Sequence, residues 1–302
     1  QKRVVIFLDD IDRLDGAEIH AVLKLVRLTA NFPRTVYVLA FDDEVVASVL
    51  GERYVGGGHE AGQAFLEKII QVGLHLPPVE LGPLRALTLE GVDKALKIAG
   101  IDLSKEQVIT FLRHFGEVEP QIRTPRMAKR YVNAVMFALP ILKGEVHPVD
   151  QLLIEAIRVF YPKLFRTIRD DADAFLLEEL RRERSHEERM RQFKDRIERG
   201  FEGLAFAEAE RARALVKALF PRVESVLRNT WYSGEWDERW AKEQRVCSGA
   251  YFRRYFGYAV PSRDVPDQVI RDVGEAAERG EAENVRSILT RVIEKGAATR
   301  LI

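Results

Sequence analysis

Cysteine occurs once in the 302 residues, at Cys247, which excludes an internal disulfide and fits a reducing compartment. The six histidines are scattered and have no metal-ligand spacing with it, so structural zinc is not expected. Net charge is absent too: Lys plus Arg and Asp plus Glu both number 47. No long-range field therefore recruits nucleic acid or an anionic membrane, although local patches stay open. No apolar run approaches the roughly 18 residues that cross a bilayer, and Gln1 opens no signal peptide. The segment reads as cytoplasmic, with a membrane anchor upstream of Gln1 left open. Hydrophobic residues, by contrast, make up 46% of the chain, ample for the buried cores of two or three domains.

Strand-like runs are confined to the first part. Val4 to Leu8 and Thr35 to Phe41 are short and apolar without alternation, the pattern of strands covered on both faces of a parallel sheet. Between them Asp15 and Glu18 have the spacing of a capping box, and Ile19, Val22, Leu23 and Val26 follow at helical period. This is one β-α-β unit, expected to be right-handed. A second helix is predicted from Asp42 or Asp43 to Gly51, and GERYVGGGHEAG reads as a glycine-rich loop. Phe65, Leu66, Ile69 and Ile70 give another amphipathic face, and Gly73 to Leu76 fit a short strand ended by Pro77 and Pro78.

Past Pro78 helical periodicities take over. The expected fold class is α/β followed by all-α: a partial parallel-sheet core over 1–78, a helical module over 79–147 and a helical C-terminal region over 148–302. Within the module, residues 84–100, 104–115 and 125–139 read as helices, the last with Thr124 as N-cap and Pro125 at the first position. The stretch RRERSHEERMRQFKDRIER reads as a solvated helix stitched by spaced ion pairs or as a coiled coil that binds a partner. YFRRYFGYAV, with Trp231, Trp236 and Trp240 upstream, mixes aromatics and arginines as single-strand binders do. Its Tyr251, Phe252, Tyr255 and Phe256 recur at helical spacing, which favours core packing.

The most informative residues are Asp9 and Asp10, adjacent carboxylates at the tip of the first strand. Nucleotide hydrolases use such acids to hold Mg²⁺ and to activate the attacking water. The alternative is that they cap the next turn, and Asp12 with Arg13 either forms a local ion pair or takes part directly. Asp42, at the end of the second strand, either senses the attacking water or the γ-phosphate, or caps the helix after it. In TPRMAKRYVNAV, Arg126, Arg130 and Asn133 share one face, suited to a phosphate tail or simply solvated, while Met127, Tyr131 and Val135 occupy another. No phosphate-cradling G-x-x-x-x-G-K-S/T occurs: Gly57 to Ala64 reads GGHEAGQA and lacks both lysine and hydroxyl. Because such a loop normally precedes a strand like the first one, the chain looks like the later part of a nucleotide hydrolase.

VVIFLDDIDRLD, FPRTVYVLAFDDEVV, FLEKIIQVGLHLPP and TPRMAKRYVNAV, in this order, resemble the KAP family of P-loop NTPases, relatives of AAA+ and STAND ATPases. The four segments are similar to its Walker B strand, its next strand with the sensor-1 region, the segment closing the nucleotide core and its sensor-2 helix. RVCSGAYFRRYFGYAVPSRDVPD is similar to a stretch found after the lid in bacterial members. The resemblance implies ATP and Mg²⁺ as ligands, with Asp9 as the metal acid, Asp10 as activator of water and Asp42 at sensor 1. It makes Arg126 and Arg130 sensor-2 candidates and puts Lys68 in the helix where relatives carry a finger reaching a neighbouring subunit. A strand order of 5-1-4-3-2 would leave a gap between the strands at 35–41 and 73–76. The implied function is an ATP-hydrolysing conformational switch, in bacterial phage defence or membrane-linked signalling. A protein partner or self-association through the helical C-terminal region is expected. The alternatives are a degenerate, non-hydrolysing scaffold and a nucleic-acid remodelling ATPase, the latter disfavoured by the neutral charge.

Overall fold

The two apolar runs pair as parallel strands. β1 (Val4–Leu8) and β2 (Thr35–Leu39) lie in register from Val4 opposite Thr35 to Leu8 opposite Leu39. Helix α1 (Gly16–Thr29) joins them, and both halves of its capping box form: Asp15 accepts from the Ala17 and Glu18 amides, and Glu18 accepts from the Asp15 amide at 3.0 Å. Helices α2 (Asp43–Gly51) and α3 (Gly58–Leu66) complete the segment. The computed structural model describes residues 3–30, 32–52, 57–77, 79–177, 186–228, 235–262 and 264–294. They fall into two compact units, Gln1–Pro78 and Val79–Ile302, each with its own core.

The first core is small. Ile11, Ile19, Leu23, Val46, Ala47, Leu50 and Leu66 are buried, and Leu8 and Leu39 pack against them. One sheet face is thus covered by helices, but the expectation of two covered faces fails. Val5, Phe7, Val36 and Val38 are exposed, Phe7 to 73%. No described element of this unit lies over them, so the continuous apolar pattern of these strands has a partner on one side alone.

Three further expectations change here. Gly58 to Gly62 are helical rather than loop. The glycines serve close approach: a Cβ on Gly62 would stand 1.8 Å from the carbonyl oxygen of Ala47, and one on Gly51 equally close to that of Gly58. Backbone contact between α2 and α3 therefore dictates residues that, read locally, signal a turn. Next, the helix through Phe65 stops at Leu66, and Glu67 to Ile69 continue as a turn. Finally, residues 73–77 form no strand, and Leu76 is 94% exposed. Without a neighbouring strand among the described residues, their backbone groups have no ladder to join.

In the second unit α4 (Leu81–Ala99), α5 (Lys105–Val118) and α6 (Pro125–Ile141) form the expected three helices. Ser104 and Gln107 make a capping box for α5, and Thr124 accepts from the Met127 amide at 3.2 Å to start α6. Among the described residues ten helices follow: α7 (Pro148–Phe160), α8 (Pro162–Asp170), α9 (Ala172–Leu176), α10 (His186–Glu198), α11 (Phe206–Leu219), α12 (Pro221–Arg228), α13 (Glu235–Lys242), α14 (Gly249–Gly257), α15 (Asp267–Glu278) and α16 (Ala282–Glu294). One continuous core runs from Val92 to Tyr255.

α10 departs from the reading of a solvated helix. Phe193 and Ile197 are buried in the core, and its described ion pairs leave the helix: Arg196 reaches Asp171, and Glu198 reaches Arg213 at 2.5 Å. Residues 178–185 of the charged stretch lie outside the described residues. The aromatic helix α14 behaves as a core element, with Tyr251, Phe252 and Tyr255 buried, and Trp240 is buried upstream. Trp231 lies outside the described residues.

Two buried ionic centres tie the α6–α7 connection to the segment 244–268. Arg254 is wholly buried and uses every side-chain N–H. Nη1 donates to Glu145 at 2.5 Å and Asp267 at 3.1 Å, Nη2 to Asp264 at 2.7 Å and the Val265 carbonyl at 3.0 Å, and Nε to Asp264 at 3.1 Å. The second centre is Asp150, which accepts from Arg245 Nε at 2.7 Å and the Val246 amide at 3.0 Å. Burial by itself would raise the pKa of Asp150, but Arg245 and His147 outweigh it and hold the carboxyl below its ordinary 3.8.

Since the unfolded chain binds this proton more readily, Asp150 stabilises the fold at pH values above 3.8. That stability is expected to disappear as pH falls through the lowered value in the folded state. Urea unfolding across acid pH should show a steeper decline in the native protein than in Asp150→Asn. Equal slopes would assign the acid sensitivity elsewhere.

Candidate functional site

β1 ends with the Ala40 amide donating to the Leu8 carbonyl at 2.9 Å, and the chain then turns sharply. Asp9 Oδ1 accepts from the Asp10 amide at 2.8 Å. Asp10 has φ 57° and ψ 33°, a left-handed conformation that aspartate tolerates better than most side chains. A short 3₁₀ turn, Ile11–Arg13, follows, and buried Ile11 pins it into the core. With Ile11 inward, both carboxylates stand open to solvent at the sheet's C-terminal edge.

Arg13 pairs with Asp10 at 2.9 Å, not with its neighbour Asp12. Both partners are more than half exposed, so the pair is weak and Asp10 can exchange it for another contact. Asp42 sits two residues past Ala40 on the same edge and caps α2, its Oδ1 accepting from the Val45 amide at 3.1 Å. The capping role is therefore realised. Parallel pairing brings Asp9, Asp10 and Asp42 to one edge, where ligands of open α/β sheets bind.

Among the described residues no three His, Cys, Asp or Glu side chains gather as a complete metal cage. Mg²⁺ keeps waters and takes one or two carboxylates together with substrate phosphates, and Asp9 and Asp10 are the adjacent carboxylates that could hold one.

Lys68 is exposed in the turn after α3, not within a helix as the sequence reading had it. In the second unit Arg126, Arg130 and Asn133 occupy the exposed face of α6, while Tyr131 and Val135 are buried, as their spacing predicts. Neither arginine has a hydrogen bond or ion pair among the described residues. Thr124, which starts the helix, fixes their place on its first two turns. Lys94 and Lys129 escaped the sequence reading. With Glu90 and Asn133 they line a shallow cavity of about 230 Å³ between α4 and α6. Lys129 is four residues before Asn133, so helical spacing alone could have found it.

Over 167 residues the chain is 26% identical to a phage T7 exclusion protein of Escherichia coli (strain K12), an alignment covering 54% of this chain and 22% of that protein. The chain thus spans about a fifth of the length of this curated relative. No solved structure matches it. Among the described residues no helix is long and apolar enough to cross a membrane. Residues 1–142 match the KAP family P-loop domain, a segment that includes both strands, the acidic edge and the arginine-bearing helix α6.

Proposed function

We propose that the intact protein binds ATP with Mg²⁺ and hydrolyses it, using the cycle as a conformational switch. The observation that carries this reading is the edge formed by Asp9, Asp10 and Asp42 at the ends of two paired parallel strands. Asp9 holds the metal, through water or directly, and Asp10 releases Arg13 to take a proton from the attacking water. Bound Mg²⁺ supplies charge neutralisation for the phosphates. Asp42 adds a polar contact at the same edge while it caps α2.

Residues 79–147 act as a lid, in which Arg126 and Arg130 respond to the phosphate charge. Residues 148–302 pass the change on to a protein partner or a second copy. That the Escherichia coli relative is a phage T7 exclusion protein supports a setting in phage defence. The engagement of Asp10 by Arg13 and of Asp42 by α2 supports one second reading, a scaffold in which these acids keep structural roles alone.

Titrating the full-length protein with ATP over a Mg²⁺ series separates the two. Asp9→Asn is expected to weaken Mg²⁺-dependent nucleotide binding about 10–100-fold, the usual scale for losing a metal-orienting group. Nucleotide binding that ignores both Mg²⁺ and Asp9→Asn would favour the scaffold.

A further inference from the structure

α5 buries Phe111, Phe115 and Val118 in the core of the second unit, yet it carries another apolar stripe on a side that is open. Ile109 is 58% exposed, and Val108 and Leu112 are exposed as well. Lys105, Ile109, Leu112 and Gly116 recur at spacings of four, three and four, the pattern of a seam between two helices. Gly116 points the same way. A glycine inside a helix is less favourable than an alanine, and a Cβ added here would meet nothing within 4 Å. The chain's own packing gives no reason for it, whereas close approach by a second molecule does.

The charges of this side are ordered too. Lys105 and Glu106 stand at the start of the helix, Arg113 and Glu117 towards its end. Among the described residues none of the four makes a side-chain hydrogen bond or ion pair. A second α5 turned end for end, with its Leu112 against Ile109, brings its Gly116 opposite Lys105. The missing side chain lets the lysine stem pass over to Glu117 of the second copy. Glu106 and Arg113 share one flank, seven residues apart, so Glu106 comes close to Arg113 of the second copy on that flank. Opposite signs meet each time, and each meeting occurs twice by symmetry. A parallel pairing would set every charge against its own like.

We propose that α5 is a self-association surface on which two copies of this chain pair antiparallel, Ile109 against Leu112, Lys105 with Glu117 and Glu106 with Arg113. A foreign helix of one sign would match half of these charges; a second copy matches all of them. The 14 residues of α5 span about 21 Å and offer less than the roughly 800 Å² a side of a tight complex, so the dimer is weak and concentration-dependent. The surface lies outside residues 148–302, where association was expected, and does not rest on the nucleotide reading.

Sedimentation of the 302-residue protein from micromolar to millimolar concentration should show a monomer–dimer equilibrium. Ile109→Glu should remain monomeric throughout. Arg113→Glu and Glu106→Arg should each weaken the dimer about 10-fold, since two weak ion pairs become two like-charge contacts. Combining them should restore it, because the swap returns opposite signs to each meeting. That recovery keeps the test sound should Ile109→Glu fail to fold. Phe7→Ser, on the open sheet face of the first unit, should leave the equilibrium unchanged. A monomer at every concentration, a dimer that survives Ile109→Glu, a double variant as weak as the single ones, or loss of the dimer in Phe7→Ser would each overturn the proposal.

Discussion

Replacing Arg254 with methionine is expected to cost roughly 3–5 kcal/mol of folding stability, the scale for breaking a buried ion pair by removing one partner. Methionine fills much of the volume, so lost packing is a minor part of the effect. What remains is Glu145, Asp264 and Asp267 facing one another without the cation that all three contact. Lysine would do little better, because one ammonium cannot replace five N–H groups in a planar fork. Urea unfolding of the native protein and Arg254→Met measures the difference. A loss below about 1 kcal/mol would mean that the guanidinium is not what holds this centre together.

Asp10→Asn should lower the rate of phosphate release by the intact protein about 10²–10⁴-fold, the usual contribution of a positioned general base. ATP affinity should change little, since the proposed mechanism leaves the metal to Asp9. Asparagine is the informative substitution because Asp10 sits at φ 57°. Asparagine tolerates that backbone, whereas alanine would add roughly 1–2 kcal/mol of conformational cost and confuse folding with chemistry. Asn also leaves in place the hydrogen bond that the backbone N–H of residue 10 donates to Asp9 Oδ1. Turnover that stays at the native rate would remove Asp10 from the reaction and shift weight to the scaffold reading.

Features governed by neighbours in sequence were legible from the chain alone. Asp15 with Glu18, Ser104 at the start of α5, and Thr124 with Pro125 mark helix starts through side chains that reach amides two or three residues away. The parallel pairing of β1 with β2 followed from two apolar runs joined by an amphipathic helix. Features governed by distant contacts were misread. Gly62 looks like a loop residue until the close approach of α2 to α3 is known. Residues 73–76 have strand composition but gain nothing from extension without a partner. In α10, Phe193 and Ile197 stand among many charges, yet both are buried in the core. Arg254 is adjacent to another arginine in a segment that mixes aromatics and arginines as single-strand binders do. Its role becomes visible only once Glu145, 109 residues earlier, is brought beside it.

The same separation bears on how the protein is made. Glu145 accepts from the Asp267 amide across 122 residues, and Asp150 waits 95 residues for Arg245. A ribosome that has finished α7 has therefore made two acids whose partners are still untranslated, and helices α4–α7 must persist without them until Arg245 and Asp267 emerge. Nascent chains exposed only as far as residue 240 should consequently be far easier for a protease to cut around 144–150 than chains exposed past residue 270.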